Sequence, residues 1–171
     1  MRQLPTAVLL AIGDELLNGD VRDVNIYRMS RWLTQLGIRV EEARLIRDAP
    51  AGIQATLHGL LAREPDMLIV SGGLGPTEDD RTVAAVADAV GVALTVHPEA
   101  RRLVEAQYKR LLDAGYVEQR GSVDVRRKMA QLPEGATPLP NPRGTAPGVA
   151  LTHASTRIYC LPGVPAELEA I

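Results

Sequence analysis

Asp66-Met67-Leu68-Ile69-Val70-Ser71-Gly72-Gly73-Leu74-Gly75-Pro76-Thr77-Glu78-Asp79-Asp80-Arg81-Thr82 runs from a short apolar segment through a glycine turn into a cluster of carboxylates. The apolar run, β-branched towards its end, is the pattern of a parallel strand buried on both faces. Gly72, Gly73 and Gly75 lack a Cβ, so the backbone there can turn tightly and approach a ligand closely. Thr77 and Asp80 are spaced as a capping box, which predicts a helix opening at Thr77 with Val83, Val86, Ala87 and Val90 on its buried side. Gly91 is placed to end that helix.

The same strand-then-helix grammar recurs on either side. Residues 7 to 12 read as a first strand emptying into Gly13-Asp14-Glu15-Leu16-Leu17-Asn18-Gly19, a loop of turn formers and carboxylates. A helix capped by Asp23 or Asn25 follows, with Ile26, Met29, Leu33 and Leu36 at helical spacing and Gly37 at its end. Residues 38 to 46 form the second expected strand, after which Asp48 fits an N-cap and Pro50 a first helical turn, before Ile53, Leu57, Leu60 and Leu61. His58 lies off that stripe and reads as a surface residue. Three such units in succession predict an α/β fold, because right-handed crossovers lay the helices on the faces of a parallel sheet.

The second half differs in character. A charged helix from Pro98, with Val104, Tyr108 and Leu111 on its apolar side, is expected outside the central sandwich, and Ser122 is expected to start a shorter one through Met129. The prolines of Leu139-Pro140-Asn141-Pro142-Arg143-Gly144-Thr145-Ala146-Pro147-Gly148 predict a stiff irregular loop. Strands near Val149 to Leu151 and Arg157 to Leu161 follow. The last runs into Pro162-Gly163-Val164-Pro165 and a helix cut off at Ile171, which suggests a chain continuing further.

A length of 171 residues with 46% hydrophobic content accommodates one full core, so residues 1–171 are read as a single domain. The formal charge of -2, together with 3% aromatic residues and no Phe, argues against direct nucleic-acid binding, which needs a basic footprint and stacking rings. The lone Cys160 excludes an intrachain disulfide and sits in an apolar run, as a core residue would. The apolar run at residues 8 to 12 is too short to cross a bilayer, and a soluble, cytoplasmic protein without membrane attachment is expected.

Chemistry is expected where the glycine turns gather, since ligands of open parallel sheets bind in the crevice beyond the strand ends. Gly13, Gly72, Gly73, Gly75 and Gly163 would line that edge. Acids at Asp14, Glu15, Asp48, Asp79 and Asp80 would repel a naked phosphate there, and a divalent cation resolves the conflict, because Mg²⁺ is commonly held by one or two carboxylates plus substrate phosphates. The blander alternative is that the acids complement a helix dipole and that Asp14, Glu15 and Asp48 are turn and cap residues. Arg143 is the guanidinium that the proline-rich loop offers to a phosphate or carboxylate.

Four motifs taken together carry a resemblance: Gly13-Asp14-Glu15-Leu16-Leu17-x-Gly19 with Asp23-x-Asn25; Ser71-Gly72-Gly73-x-Gly75-Pro76-Thr77-x-Asp79-Asp80-x-Thr82; Asn141-Pro142-x-Gly144-Thr145-Ala146-Pro147-Gly148; and Leu161-Pro162-Gly163-Val164-Pro165-x-Glu167. In this order they resemble the amino-terminal domain of the competence/damage-inducible CinA proteins, itself similar to the MoaB/MogA-like molybdopterin-binding domains. The resemblance implies a three-layer α/β/α sandwich around a mostly parallel sheet. It also implies metal-dependent hydrolysis of ADP-ribose to AMP and ribose 5-phosphate with Mg²⁺, Mn²⁺ or Co²⁺. Asp80, Asp48 and Asp14 would then be metal ligands and Glu15 or Asp79 the base. Gly13, Asp14, Asn25, Ser71, Gly72, Gly73, Gly75, Pro76, Thr77, Thr82, Asn141, Arg143, Gly144, Thr145, Ala146, Gly148, Pro162 and Gly163 would contact a small nucleotide substrate. A homo-oligomer, dimer or trimer, is expected, with the Pro98 to Met129 helices as a candidate contact. The family's carboxy-terminal deamidase domain has no counterpart among these motifs, so no deamidase activity is expected. Two alternatives stand beside this reading: a module that binds molybdopterin, and a non-catalytic scaffold related to competence or DNA damage.

Overall fold

The structure, a computed structural model, describes residues 4–115 and 122–171. Strand β1 (Thr6–Ile12) lies between β2 (Arg39–Ile46) and β3 (Met67–Ser71), parallel to both, and β3 pairs in parallel with β8 (Thr156–Leu161). Two antiparallel strands, β7 (Gly148–His153) and β6 (Thr137–Leu139), complete a six-stranded sheet of order β2-β1-β3-β8-β7-β6. A separate ribbon pairs β4 (Leu94–Val96) with β5 (Gln131–Pro133).

Side chains alternate across the sheet and divide the core in two. Val8, Leu10 and Ile12 of β1 join Leu68 and Val70 of β3 against Ile53, Leu57 and Leu60 of α3 (Pro50–Leu61) and Val86 and Val90 of α4 (Thr82–Val90). Ala7, Leu9 and Ile69 point the other way, onto Met29 and Leu33 of α2 (Asn25–Gln35) and Leu168 of α7 (Pro165–Leu168). A sheet with both faces covered has no polar side to offer, which is why β1 and β3 are nearly continuous apolar runs. The result is the expected three-layer α/β/α arrangement around a mostly parallel sheet.

Several local expectations need correction. The helix anticipated at Thr77 begins at Thr82; Thr77 and Asp80 instead close a separate turn, in which the Thr77 amide and hydroxyl donate to Asp80 Oδ2 at 2.9 and 2.6 Å. A reciprocal Thr–Asp turn satisfies the same groups a capping box would, so the two patterns look alike in sequence. The loop after β1 contains a short helix, α1 (Asp14–Asn18), closed by Gly19 in the left-handed region. Asp48 does not cap α3, whose N-cap is Ala49 with Pro50 in the first turn; the Asp48 carboxylate instead accepts from the Asp14 amide at 3.2 Å.

The charged helix α5 (Pro98–Asp113) buries Ala100, Val104 and Tyr108 in an apolar cluster continuous with the larger core of the sheet. Ser122 does cap α6 (Val123–Met129), accepting from the Val125 amide at 3.1 Å. The ribbon β4–β5 and strand β6 had no periodic signal, each being only 3 residues long.

Candidate functional site

Parallel strands β1, β3 and β8 end together, and their glycine turns meet because nothing larger than hydrogen stands between them. Gly72 has φ 99°, and a Cβ there would overlap the Ile12 carbonyl oxygen at the end of β1. Its amide donates to the Leu161 carbonyl of β8 at 3.0 Å, and a Cβ on Gly163 would lie 3.4 Å from the Gly72 Cα. The turn is fixed from behind by buried Thr82, whose hydroxyl donates to the Gly72 carbonyl at 2.8 Å while its amide donates to the Gly73 carbonyl at 3.2 Å. A threonine at the first position of α4 thus ties helix and turn into one rigid piece.

A cavity of about 570 Å³ opens over these strand ends. Of the expected site residues it is lined by Gly13, Glu15, Asn25, Asp48, Ser71, Gly72, Gly73, Gly75, Pro76, Asp79, Asp80, Thr145, Ala146, Pro162 and Gly163. Seven others do not line it: Asp14, Thr77, Thr82, Asn141, Arg143, Gly144 and Gly148. Asp14 stands behind Asp48, where its Oδ1 accepts from the Asp48 amide at 3.2 Å and lies 3.7 Å from the Arg47 guanidinium. Gly148 starts β7, where a Cβ would press on Cys160 and Ile171. Arg143 is exposed.

Asn141 builds its loop rather than facing the cavity. It is 4% exposed; its Nδ2 donates to the Ala146 carbonyl at 2.9 Å and to Glu167 Oε2 at 2.7 Å, and its Oδ1 accepts from the amides of Arg143 at 3.0 Å and Gly144 at 2.8 Å. Helix α5 holds the same loop from outside, with Gln107 Nε2 donating to the carbonyls of Asn141 at 2.5 Å and Gly144 at 2.8 Å and Arg110 to that of Pro142 at 2.5 Å. These bonds satisfy carbonyls that an irregular, partly buried loop would otherwise leave unpaired.

The acids create the site's electrostatic character. Burial pushes the Asp48 carboxyl above its ordinary range, the Asp14 amide pulls against that, and the negative charges of Glu15, Asp14 and Asp79 add to the upward push. Asp79 is held below its ordinary range by the Thr77 hydroxyl, which it shares with Asp80, then by its own backbone amide, with Lys128 and Arg81 adding less. Lys128 of α6 also donates to the Thr77 carbonyl, tying the acidic turn to that helix. Burial raises the Cys160 thiol to about 12, so it stays protonated and plays no nucleophilic part. Among the described residues no three of His, Cys, Asp and Glu come together closely enough to hold a metal ion by themselves. A hard cation here would therefore need phosphate or water oxygens to complete its shell, as Mg²⁺ commonly does.

The cavity is also lined by charged residues that the sequence does not mark as ligand contacts, Arg22 and Glu167 among them. Arg22, between α1 and α2, lines the cavity where Arg143 does not, and a lone arginine among turn formers carries no pattern. Glu167, in the first turn of α7, also lines it; one acid after a proline-started helix reads as a dipole partner.

A covered, mostly parallel sheet with glycine turns meeting over an acid-lined cavity defines a molybdopterin-binding type of α/β domain. A family described as "Probable molybdopterin binding domain" matches residues 8–171, and the chain belongs to this family as a CinA-like member. The structure of "the protein CinA with unknown function" from Thermoplasma acidophilum superposes with a TM-score of 0.85 at 32% identity, covering 96% of this chain and 93% of that one. The molybdopterin biosynthesis enzyme MoaB from Thermus thermophilus shares the fold, with a TM-score of 0.62 at 20% identity over 98% of this chain and 86% of that one. Protein TK1472 from Thermococcus kodakarensis is 41% identical over 165 residues, which is 96% of this chain and 66% of that protein. The chain thus spans just under two thirds of the length of such relatives. Among the described residues no helix is long and apolar enough to cross a membrane.

Proposed function

We propose that the cavity binds a nucleotide sugar of the ADP-ribose type and hydrolyses its diphosphate with a divalent cation, Mg²⁺, Mn²⁺ or Co²⁺. The observation that carries this reading is the meeting of Glu15, Asp48, Asp79 and Asp80 with the glycine turn of residues 72 to 75 on one cavity. Acids so placed repel one another and an anionic ligand, and they add to the upward push that burial exerts on Asp48. A cation bound together with the diphosphate removes both repulsions. Asp80 and Asp48 are its proposed ligands, while Asp14 orients Asp48 through their reciprocal backbone bonds. When bound, such a cation neutralises the diphosphate and acidifies a coordinated water.

The protein's own part is positioning. Amides of the glycine turn and the Arg22 guanidinium face the diphosphate, Thr145 and Ala146 close over the nucleotide, and Glu15 or Asp79 accepts a proton from water. A cytoplasmic setting belongs to the same proposal, since a single buried thiol calls for no oxidising compartment.

The test is AMP release from ADP-ribose across the three metals, on the wild-type chain and on Asp80→Ala. Turnover should fall by roughly a hundredfold or more in the variant with folding retained; a variant as active as wild type refutes the site. The family membership favours a second reading, a module that binds molybdopterin without hydrolysing nucleotides. Tight molybdopterin binding with no AMP release under any of the metals would establish that reading instead.

A further inference from the structure

The wall supplied by α2 and α7 offers hydrogen-bond acceptors. The two helices are joined by the Arg28–Glu169 ion pair at 2.7 Å and by Leu168 packing with Met29 and Leu33. Asn25, the first residue of α2, lines the cavity and is 5% exposed. Its Nδ2 donates to the Gly163 carbonyl at 2.7 Å, which fixes the amide's orientation, because a carbonyl can only accept. Its Oδ1 has no hydrogen-bond partner among the described residues, and an unsatisfied buried acceptor is costly. Glu167 on α7 lines the same cavity; its Oε2 takes one bond from Asn141, and an ionised carboxylate has capacity for several more. The loop is shaped around this carboxylate, since a Cβ on Gly144 would overlap it.

A wall of this kind repels phosphate oxygens and attracts neutral donors. The geometry points to Glu167 and Asn25 as a hydroxyl-reading subsite that takes the vicinal diol of a ribose, so that the sugar is gripped by acceptors while the diphosphate lies on the glycine turn. This inference rests on the nucleotide-sugar reading and names the group by which such a ligand is told apart from its deoxy analogues. A carboxylate serves this purpose better than an amide, because hydrogen bonds to a charged acceptor are roughly twice as strong as neutral ones.

The test is calorimetric binding of AMP and 2′,3′-dideoxy-AMP, and of ribose 5-phosphate and its 2,3-dideoxy analogue, to wild type and to Glu167→Gln. Glutamine keeps the shape and an acceptor for Asn141, and circular dichroism checks that it folds. Wild type should prefer at least one diol by roughly 10–100-fold. In Glu167→Gln that preference should fall several-fold, with the dideoxy ligands bound as in wild type. An unchanged preference, or equal weakening of diol and dideoxy ligands, overturns the subsite. Preferential capture of a pterin with no diol dependence overturns it too. Diol preference without AMP release from ADP-ribose would sink the hydrolase and leave the subsite standing. AMP release without diol preference would do the reverse, and no nucleotide or sugar binding at all refutes both.

Discussion

Two loops face each other across the cavity and are made rigid in opposite ways. The turn at residues 71 to 75 is held by what its residues lack: Gly72 fits against β1 because it has no Cβ, and Thr82, ten positions on, locks it from the nearest helix. The loop at residues 140 to 147 is held by what one side chain supplies, since Asn141 makes four bonds, one of them to Glu167, while Gln107 and Arg110 hold the carbonyls of Gly144 and Pro142. The first device is steric and local, whereas the second is polar and assembled from distant elements. A steric fit fails abruptly when an atom is added, while a polar network weakens as partners are removed.

Four substitutions sharpen this contrast, in falling order of effect. Gly72→Ala places a methyl group on a backbone carbonyl at φ 99°, where neither partner can yield; the loss should be about 3–5 kcal/mol by chemical denaturation. Asn141→Ala strands the Gly144 amide and the Ala146 carbonyl together, and a loss of about 2–3 kcal/mol with weakened nucleotide binding is expected in denaturation and calorimetry. Gly75→Ala meets only the flexible end of Asp80, with its Cβ 2.6 Å from Oδ2, so stability should drop by about 1 kcal/mol while ADP-ribose turnover drops at least tenfold. Gly72→Ala and Gly75→Ala showing equal stability would mean that the turn is not fixed against β1.

The smallest effect has the opposite sign. Asp48 has a folded-state carboxyl raised above its ordinary value by burial first and neighbouring acids after. Between the ordinary and the raised value the folded state binds more protons than the unfolded one, so this group's contribution makes stability fall as pH rises through that window. Asp48→Asn removes the charge and can still accept from the Asp14 amide. A modest rise in melting temperature at pH 7, absent well below the carboxylate range, should accompany lost hydrolysis, as in a site where stability is given up for activity. A melting temperature that falls at pH 7 would show that the acid cluster is not under strain.

The same contrast explains what was legible in the chain. Strand, glycine turn and helix are written in neighbouring residues, so β1, β3, α2, α3 and the buried face of α4 could be read from period and punctuation alone. Gly72, Gly73 and Gly75 are legible for the same reason, and the cavity includes them all. Thr77 and Asp80 were misassigned to a helix start because a closed Thr–Asp turn and a capping box use the same residue types at the same spacing. Arg22 and Glu167 are each a single charge in an ordinary turn or helix start, which by itself marks no ligand contact.

The sequence by itself determined the layering and the gathering of the glycine turns on one edge of the sheet. Hydrophobic period selects strand or helix, and glycine after a strand marks where backbone can come close to backbone. Only the tertiary structure decided which polar groups face the cavity, because that depends on contacts 26 to 37 residues apart, such as Asn141 with Glu167 and Gln107 with Gly144, whose energies arise when distant elements remove one another from water.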